Sequence, residues 1–286
     1  MNRFASYDGT QIGIRTLGTG RALVCLPGGP GRTSEYFGDL GGMASSRQLV
    51  LPDTRGTGAS ADAADPGSYR CDRLVADVEA LHAHLGFERI DLAGHSAGAN
   101  VAVLYAAAHP ERIDHLILLT PGLRALGITV TDEQQRPAFH RRSGEPWYPD
   151  ALAAAQQAEA GDQSEQVRDR YLPFLYGRWD EAARAHATLG FSERARAVQA
   201  HFYSGVAFDP PATAAALARL DAPVLVYGGE LDLIPADALA KAAAMFANAE
   251  LTMQPGAGHY PWLDDPAWFS TAVNAFLGRA RPSAAS

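Results

Sequence analysis

The sequence predicts an α/β fold, in which a mostly parallel sheet is flanked by helices and interrupted by an inserted helical cap. Three observations carry this. Eight short β-like runs recur along the chain, helical patterns separate most of them from the fourth onward, and residues 123–212 break the alternation with Ala-rich helical stretches.

The runs come in order as RFASY, QIGIRTL, RALVCL, RQLVLPD, RIDLAG, DHLILLT, APVLVYGG and ELTMQPG. The turn signal Asp8-Gly9 joins the first two as a hairpin. In DRLVADVEALHAHLGF, Leu74, Val78, Leu81 and Leu85 recur at helical spacing and Gly86 closes the helix. A hairpin entry followed by strand-helix units gives a sheet covered on both faces, with functional groups at the carboxyl ends of its strands. The segment 123–212 holds eleven of the 25 aromatic residues, among them Trp147, Tyr148, Tyr171 and Phe174. It reads as a cap, and residues 1–122 with 213–286 as the core. Most of the aromatics are expected to fill the cap's own interior.

Composition excludes several classes of function. The chain is 47% hydrophobic, and no apolar run approaches the roughly 18 residues of a membrane span. The formal net charge is -8, with 24 basic residues that are almost all Arg, whereas nucleic acid and anionic membranes demand a basic face. The N-terminal MNRFASYDGTQIGIRTLG lacks a basic segment followed by an apolar core, so a cytoplasmic location is expected. Cys25 and Cys71 belong to no C-x-x-C pair and read as small buried residues rather than a disulfide. No H-E-x-x-H or G-x-x-x-x-G-K-[ST] motif exists, so neither metal nor nucleotide is implied.

The chemistry centres on GHSAGAN, residues 94–100. G-x-S-x-G is a weak signal alone in a chain with 28 Gly, but here a strand ends at Ala93 and a helix begins near Ala97. A serine on such a turn is held strained with its oxygen projecting from the sheet edge, and Gly94 and Gly98 leave room for it. The helix start also directs N–H groups towards a developing oxyanion. A serine hydroxyl needs a base. Among nine His, His259 lies in the Gly-rich loop QPGAGHYPW after the last strand, a place for a mobile base; His95 beside the serine points away and reads as structural. The third member is a carboxylate between them at another strand end. GGELDLIP supplies Asp232, with Glu230 and Asp237 as competitors, Asp237 lying inside the helix opened by Pro235. An oxyanion hole needs an N–H after the serine, from Ala97, and one from LPGGPGR; since Pro27 and Pro30 carry no N–H, Gly28, Gly29 or Gly31 must donate.

LPGGPG, LPDTRGTGAS, GHSAGA, GELDLIP and GAGHYPW, in that order over nearly the whole chain, resemble an α/β-hydrolase, and the first two resemble the proline iminopeptidase family. By that resemblance the protein is expected to be a serine hydrolase that cleaves an amide or ester of a small or short peptide-like substrate through an acyl-enzyme, without a cofactor. Ser96 would attack, His259 would be the base, Asp232 its orienter, Gly29 and Ala97 the oxyanion hole, and Asp53 and Arg55 would brace the surrounding loops. There are departures: Pro27 stands where that family has His, Thr54 where it has Gln, and GHSAGA replaces G-G-S-W-G, as in esterases and carbon-carbon bond hydrolases. The family holds its substrate's amine with acidic cap residues, for which Glu181, Glu193 and Asp209 are the candidates. A ligand-binding receptor on the same fold is the non-enzyme alternative; such proteins usually lose a triad member, and all three stand in this sequence.

Overall fold

The chain enters through a β-hairpin because Asp8 Oδ1 accepts from Thr10 N at 3.0 Å and Gly9 adopts φ +84°, a region closed to most side chains. In this computed structural model, which describes residues 2–162, 164–190 and 195–280, the hairpin strands are β1 (Asn2–Ala5) and β2 (Gln11–Leu17). Six more follow: β3 (Ala22–Leu26), β4 (Gln48–Pro52), β5 (Ile90–His95), β6 (Ile113–Leu119), β7 (Val224–Gly229) and β8 (Ala249–Gln254). They form one sheet in the order β1-β2-β4-β3-β5-β6-β7-β8, antiparallel from β1 to β4 and parallel from β4 to β8. The eight strands coincide with the eight predicted runs. β5 continues two residues beyond the expected end, because Gly94 and His95 still pair with Leu118 and Leu119.

The central strands are continuously apolar because successive residues serve different cores. Val24 and Leu26 of β3, Leu116 and Leu118 of β6, and Val224 and Val226 of β7 face one cluster. Leu23 and Cys25, Ile117 and Leu119, Leu225 and Tyr227 face the other. Helices α1 (Leu74–Leu85), α2 (Ala97–Ala108) and α9 (Ala236–Ala243) cover the first face; α11 (Pro266–Leu277), reached through the short α10 (Pro261–Asp264), covers the second. Gly86, at φ +70°, ends α1 as its sequence predicts, donating to His82 O at 3.1 Å. Each fully buried aliphatic side chain contributes about 1.5–3 kcal/mol, so two full faces stabilise the sheet far more than any surface contact. Cys25 and Cys71 are both buried free thiols. No helix among the described residues is long and apolar enough to cross a membrane.

Between β6 and β7 lie α3 (Asp132–His140), α4 (Tyr148–Glu159), α5 (Glu165–Tyr171), α6 (Glu181–Ala187), α7 (Ala195–Phe202) and α8 (Pro210–Leu217), with no strand among the described residues. Part of this segment belongs to the main core. Leu123, Ala125 and Leu126 pack in it at one end, and Phe202 and Leu217 at the other, so the sequence boundary at 212/213 divides α8. A smaller cluster built from Phe139, Ala151, Ala155 and Phe174, with Trp147, Tyr148 and Tyr171 against it, forms the insertion's interior and takes in Leu233 from the loop after β7.

Candidate active site

The turn from β5 into α2 is strained. Ser96 has φ +52° and ψ -122°, which costs an L residue about 1–2 kcal/mol. Its main chain is fixed from three sides: Ser96 N donates to Leu119 O at 3.0 Å, while Ser96 O accepts from Ala99 N at 3.0 Å and Gly122 N at 2.8 Å. The motif glycines are explained by close approach. A Cβ on Gly98 would lie 2.5 Å from the carbonyl oxygens of both Leu26 and Pro27, so only glycine lets α2 start against the loop after β3.

Asp232 leaves β7 in a tight turn, its N–H donating to Gly229 O at 3.2 Å, and its carboxylate is almost wholly buried. His259 Nδ1 lies 3.1 Å from both Oδ1 and Oδ2 of Asp232. A carboxylate only accepts, so Nδ1 carries the ring proton and Nε2 is left as the acceptor. The competitors go elsewhere: exposed Glu230 accepts from Gly256 N at 2.8 Å, and Asp237, inside α9, pairs with Lys241 at 3.2 Å. The loop carrying His259 is tied down rather than loose. His259 N donates to Leu175 O at 2.8 Å, and its carbonyl accepts from Thr120 Oγ1 at 2.9 Å and His95 Nε2 at 3.0 Å. Ser96 and His259 line one cavity of about 720 Å³, and Ser96 Oγ makes no hydrogen bond to a described residue.

Gly29 and Ala97 line the same cavity. Gly28 N is already committed, donating to Tyr36 Oη at 2.8 Å, which removes it from the three candidate donors. Arg32 anchors this loop to the insertion, its guanidinium donating to Leu189 O at 2.8 Å, His186 O at 2.7 Å and Tyr260 Oη at 2.9 Å. Asp53 accepts from Ser34 N at 2.8 Å, Ser34 Oγ at 2.9 Å and Ala59 N at 2.9 Å, joining the loops after β3 and β4. Arg55, fully buried, pairs with Asp77 of α1 and with Asp8 of the hairpin. Burial, and then the neighbouring His259, hold His95 well below the usual imidazole range, so it is neutral.

Two of the expected acids, Asp209 and Glu181, do not line the cavity. Asp209 is exposed and spent as the N-cap of α8, accepting from Ala212 N at 3.1 Å. Glu181 is exposed in the first turn of α6, where a carboxylate complements the helix dipole, and is not part of the cavity wall. Glu193 lies outside the described residues. Among the described residues, the acids on the wall are the exposed Asp132, Glu159 and Asp162, beside Phe139 and Tyr171; Asp162 accepts from Ser164 N at 2.9 Å and Glu159 pairs with Arg136 at 3.5 Å. Their one sequence signal is the stripe Ala151, Ala154, Ala155 and Ala158, which marks the inward side of α4 and runs towards Glu159. Asp91, Asp114 and His115 form a metal-like cluster at the opposite sheet edge. Arg21 at 2.8 Å and Arg47 at 3.2 Å already engage Asp91, which makes it an ion-pair network.

A mostly parallel sheet wound in this order, with a strained serine after β5 and a His–Asp pair after β8 and β7, defines an α/β-hydrolase. A sequence model of the alpha/beta hydrolase fold family matches residues 21–266, and the chain belongs to that family as a hydrolase of its type. A proline iminopeptidase of Levilactobacillus brevis is 26% identical over 269 residues, 89% of this chain and 87% of that one. Another, from Clostridium botulinum, is 33% identical over 149 residues, 51% of this chain and 48% of that one. Among solved structures, an esterase from Exiguobacterium antarcticum shares the fold with a TM-score of 0.71 at 16% identity, covering 97% of this chain and 99% of that one.

Proposed function

We propose that the protein is a serine hydrolase acting through an acyl-enzyme, and that its substrates are amides or esters with a free amine, as for a proline iminopeptidase. Ser96 Oγ attacks the carbonyl carbon while His259 Nε2 takes its proton. Asp232 holds the ring in the tautomer that can accept and steadies the imidazolium that forms. The N–H groups of Gly29 and Ala97 receive the oxyanion, each worth about 10²- to 10³-fold in rate. The leaving group departs with the proton from His259, and water, deprotonated by the same ring, releases the acid and restores Ser96. The observation that carries this reading is the His259–Asp232 pair, whose histidine lines the same cavity as a strained Ser96.

The insertion acts as a cap in this proposal. Asp132, Glu159 and Asp162 support the amine, because an ammonium entering a cavity loses solvation that only a paired anion offsets. The esterase or lactonase alternative is favoured by GHSAGA and by Pro27, both unlike the iminopeptidase pattern. A turnover panel of aminoacyl arylamides, including the prolyl compound, against p-nitrophenyl esters and lactones separates them. Among Asp132→Asn, Glu159→Gln and Asp162→Asn, at least one is expected to lower kcat/KM for free-amine substrates roughly 30-fold while sparing simple esters. If all three leave the two classes unseparated, or if acetylating the amine speeds cleavage, the esterase reading replaces the aminopeptidase one.

A further inference from the structure

A hydrogen-bond chain of fixed direction runs from the loop after β3 to the main chain of His259. Gly28 N, which can only donate, lies 2.8 Å from Tyr36 Oη; Tyr36 Oη lies 2.7 Å from His95 Nδ1; and His95 Nε2 lies 3.0 Å from the carbonyl oxygen of His259, which can only accept. The two ends dictate everything between them. His95 carries its proton on Nε2 and accepts at Nδ1, and the tyrosine hydroxyl receives from Gly28 and gives to His95. Tyr36 is 1% exposed and His95 2%. The surroundings are apolar and aromatic, with Phe37, Tyr260 and Trp262 against the His95 ring. Phenylalanine and leucine would fill such a site without the cost of burying polar groups. The charged or titratable groups facing the pair are the Arg32 guanidinium, 4.3 Å over the Tyr36 ring, His186, whose Nε2 donates to Tyr36 O, and the His259 ring, 4.8 Å from that of His95.

We infer that Tyr36 and His95 are positioning residues that set the oxyanion loop and the His259 main chain at a fixed separation around Ser96, a role that rests on Ser96 and His259 being nucleophile and base. Each end of the chain lands on a peptide group of a segment that carries chemistry. Gly28 precedes Gly29, the carbonyl belongs to the base itself, and His95 is peptide-bonded to Ser96. Moving either segment by about 1 Å is enough to cost roughly 10²-fold in rate.

The rate of labelling by a fluorophosphonate probe reads this, since it needs nucleophile, base and oxyanion hole but no knowledge of the substrate. The control is that the wild-type protein is labelled at Ser96 and that His259→Ala abolishes labelling. A failed control sinks the serine hydrolase reading, not the role of the chain. With the control met, Tyr36→Phe, folded by circular dichroism, is expected to label about 10- to 100-fold more slowly. A merely structural tyrosine lowers the melting temperature and leaves that rate alone, which overturns the inference. If Tyr36→Phe does not fold, His95→Gln and His95→Asn decide, because only the longer amide reaches the His259 carbonyl. Gln is expected to label at least about 10-fold faster than Asn, and equal rates overturn the inference. Nitrogen NMR of the wild-type protein needs no variant: His95 is expected as the neutral Nε2–H tautomer between about pH 5 and 8, and an Nδ1–H or doubly protonated ring contradicts the chain.

Discussion

Ser96 keeps a conformation that nothing local favours, so its neighbours must supply the room and the restraint. Gly98 is the most confined of them, with two carbonyl oxygens 2.5 Å from where a Cβ would stand. Gly98→Ala therefore has to push α2 away from the loop after β3, which costs about 1–3 kcal/mol as overpacking and displaces Ala97 N–H. Urea unfolding should show a lower midpoint with an unchanged slope; an unaltered midpoint means that the elbow relaxes freely. GHSAGA was legible because this crowding acts over two or three residues and leaves a fixed spacing of glycines. Asp232 was legible for a similar reason, standing where β7 ends and before Pro235 opens a helix. Tyr36 and His95 were not, since their contacts span 59 and 164 residues and no spacing records such distances.

One element that docks the insertion beside the site is α6, and its contact depends on a neutral histidine. His186 Nε2 donates to Tyr36 O at 2.9 Å, and Nδ1 faces Tyr176 Oη at 2.8 Å. Burial, reinforced by the charge of Arg32, pushes His186 down to about 3. An unfolded histidine takes up its proton near pH 6.5, so below that pH the unfolded state binds more protons than the folded one. The stability His186 contributes is complete above about pH 6.5 and is lost progressively towards pH 3, with a slope of up to about 1.4 kcal/mol per pH unit. His186→Gln should flatten the fall in unfolding free energy measured at pH 7, 6 and 5, and a slope identical to wild type contradicts the assignment. The central strands of the sheet were readable from the sequence because burial on both faces makes them continuous apolar runs, and the opening hairpin because of its Asp8-Gly9 turn. The acids of the cavity wall were not, because Asp132, Glu159 and Asp162, exposed like Asp209 and Glu181, meet the cavity only through the way α3, α4 and the turn after α4 pack.

At the scale of the molecule, one sheet with two cores presents the carboxyl ends of β3, β4, β5, β7 and β8 along a single edge, and the five motif segments all leave from it. That common edge explains why five short motifs far apart in the chain were readable as one site. The parallel run of the strands follows from strand-helix alternation, whereas much of the cavity lining comes from an insertion whose helices carry no such rule. The central claim is that this edge holds a working nucleophile. Its most direct measurement is exposure of the purified protein to an active-site fluorophosphonate, with the modified residue located by mass spectrometry. One label per chain on Ser96, lost in Ser96→Ala, is the predicted result. An unlabelled Ser96, or equal labelling of the Ser96→Ala protein, contradicts the account and leaves a receptor built on a hydrolase fold.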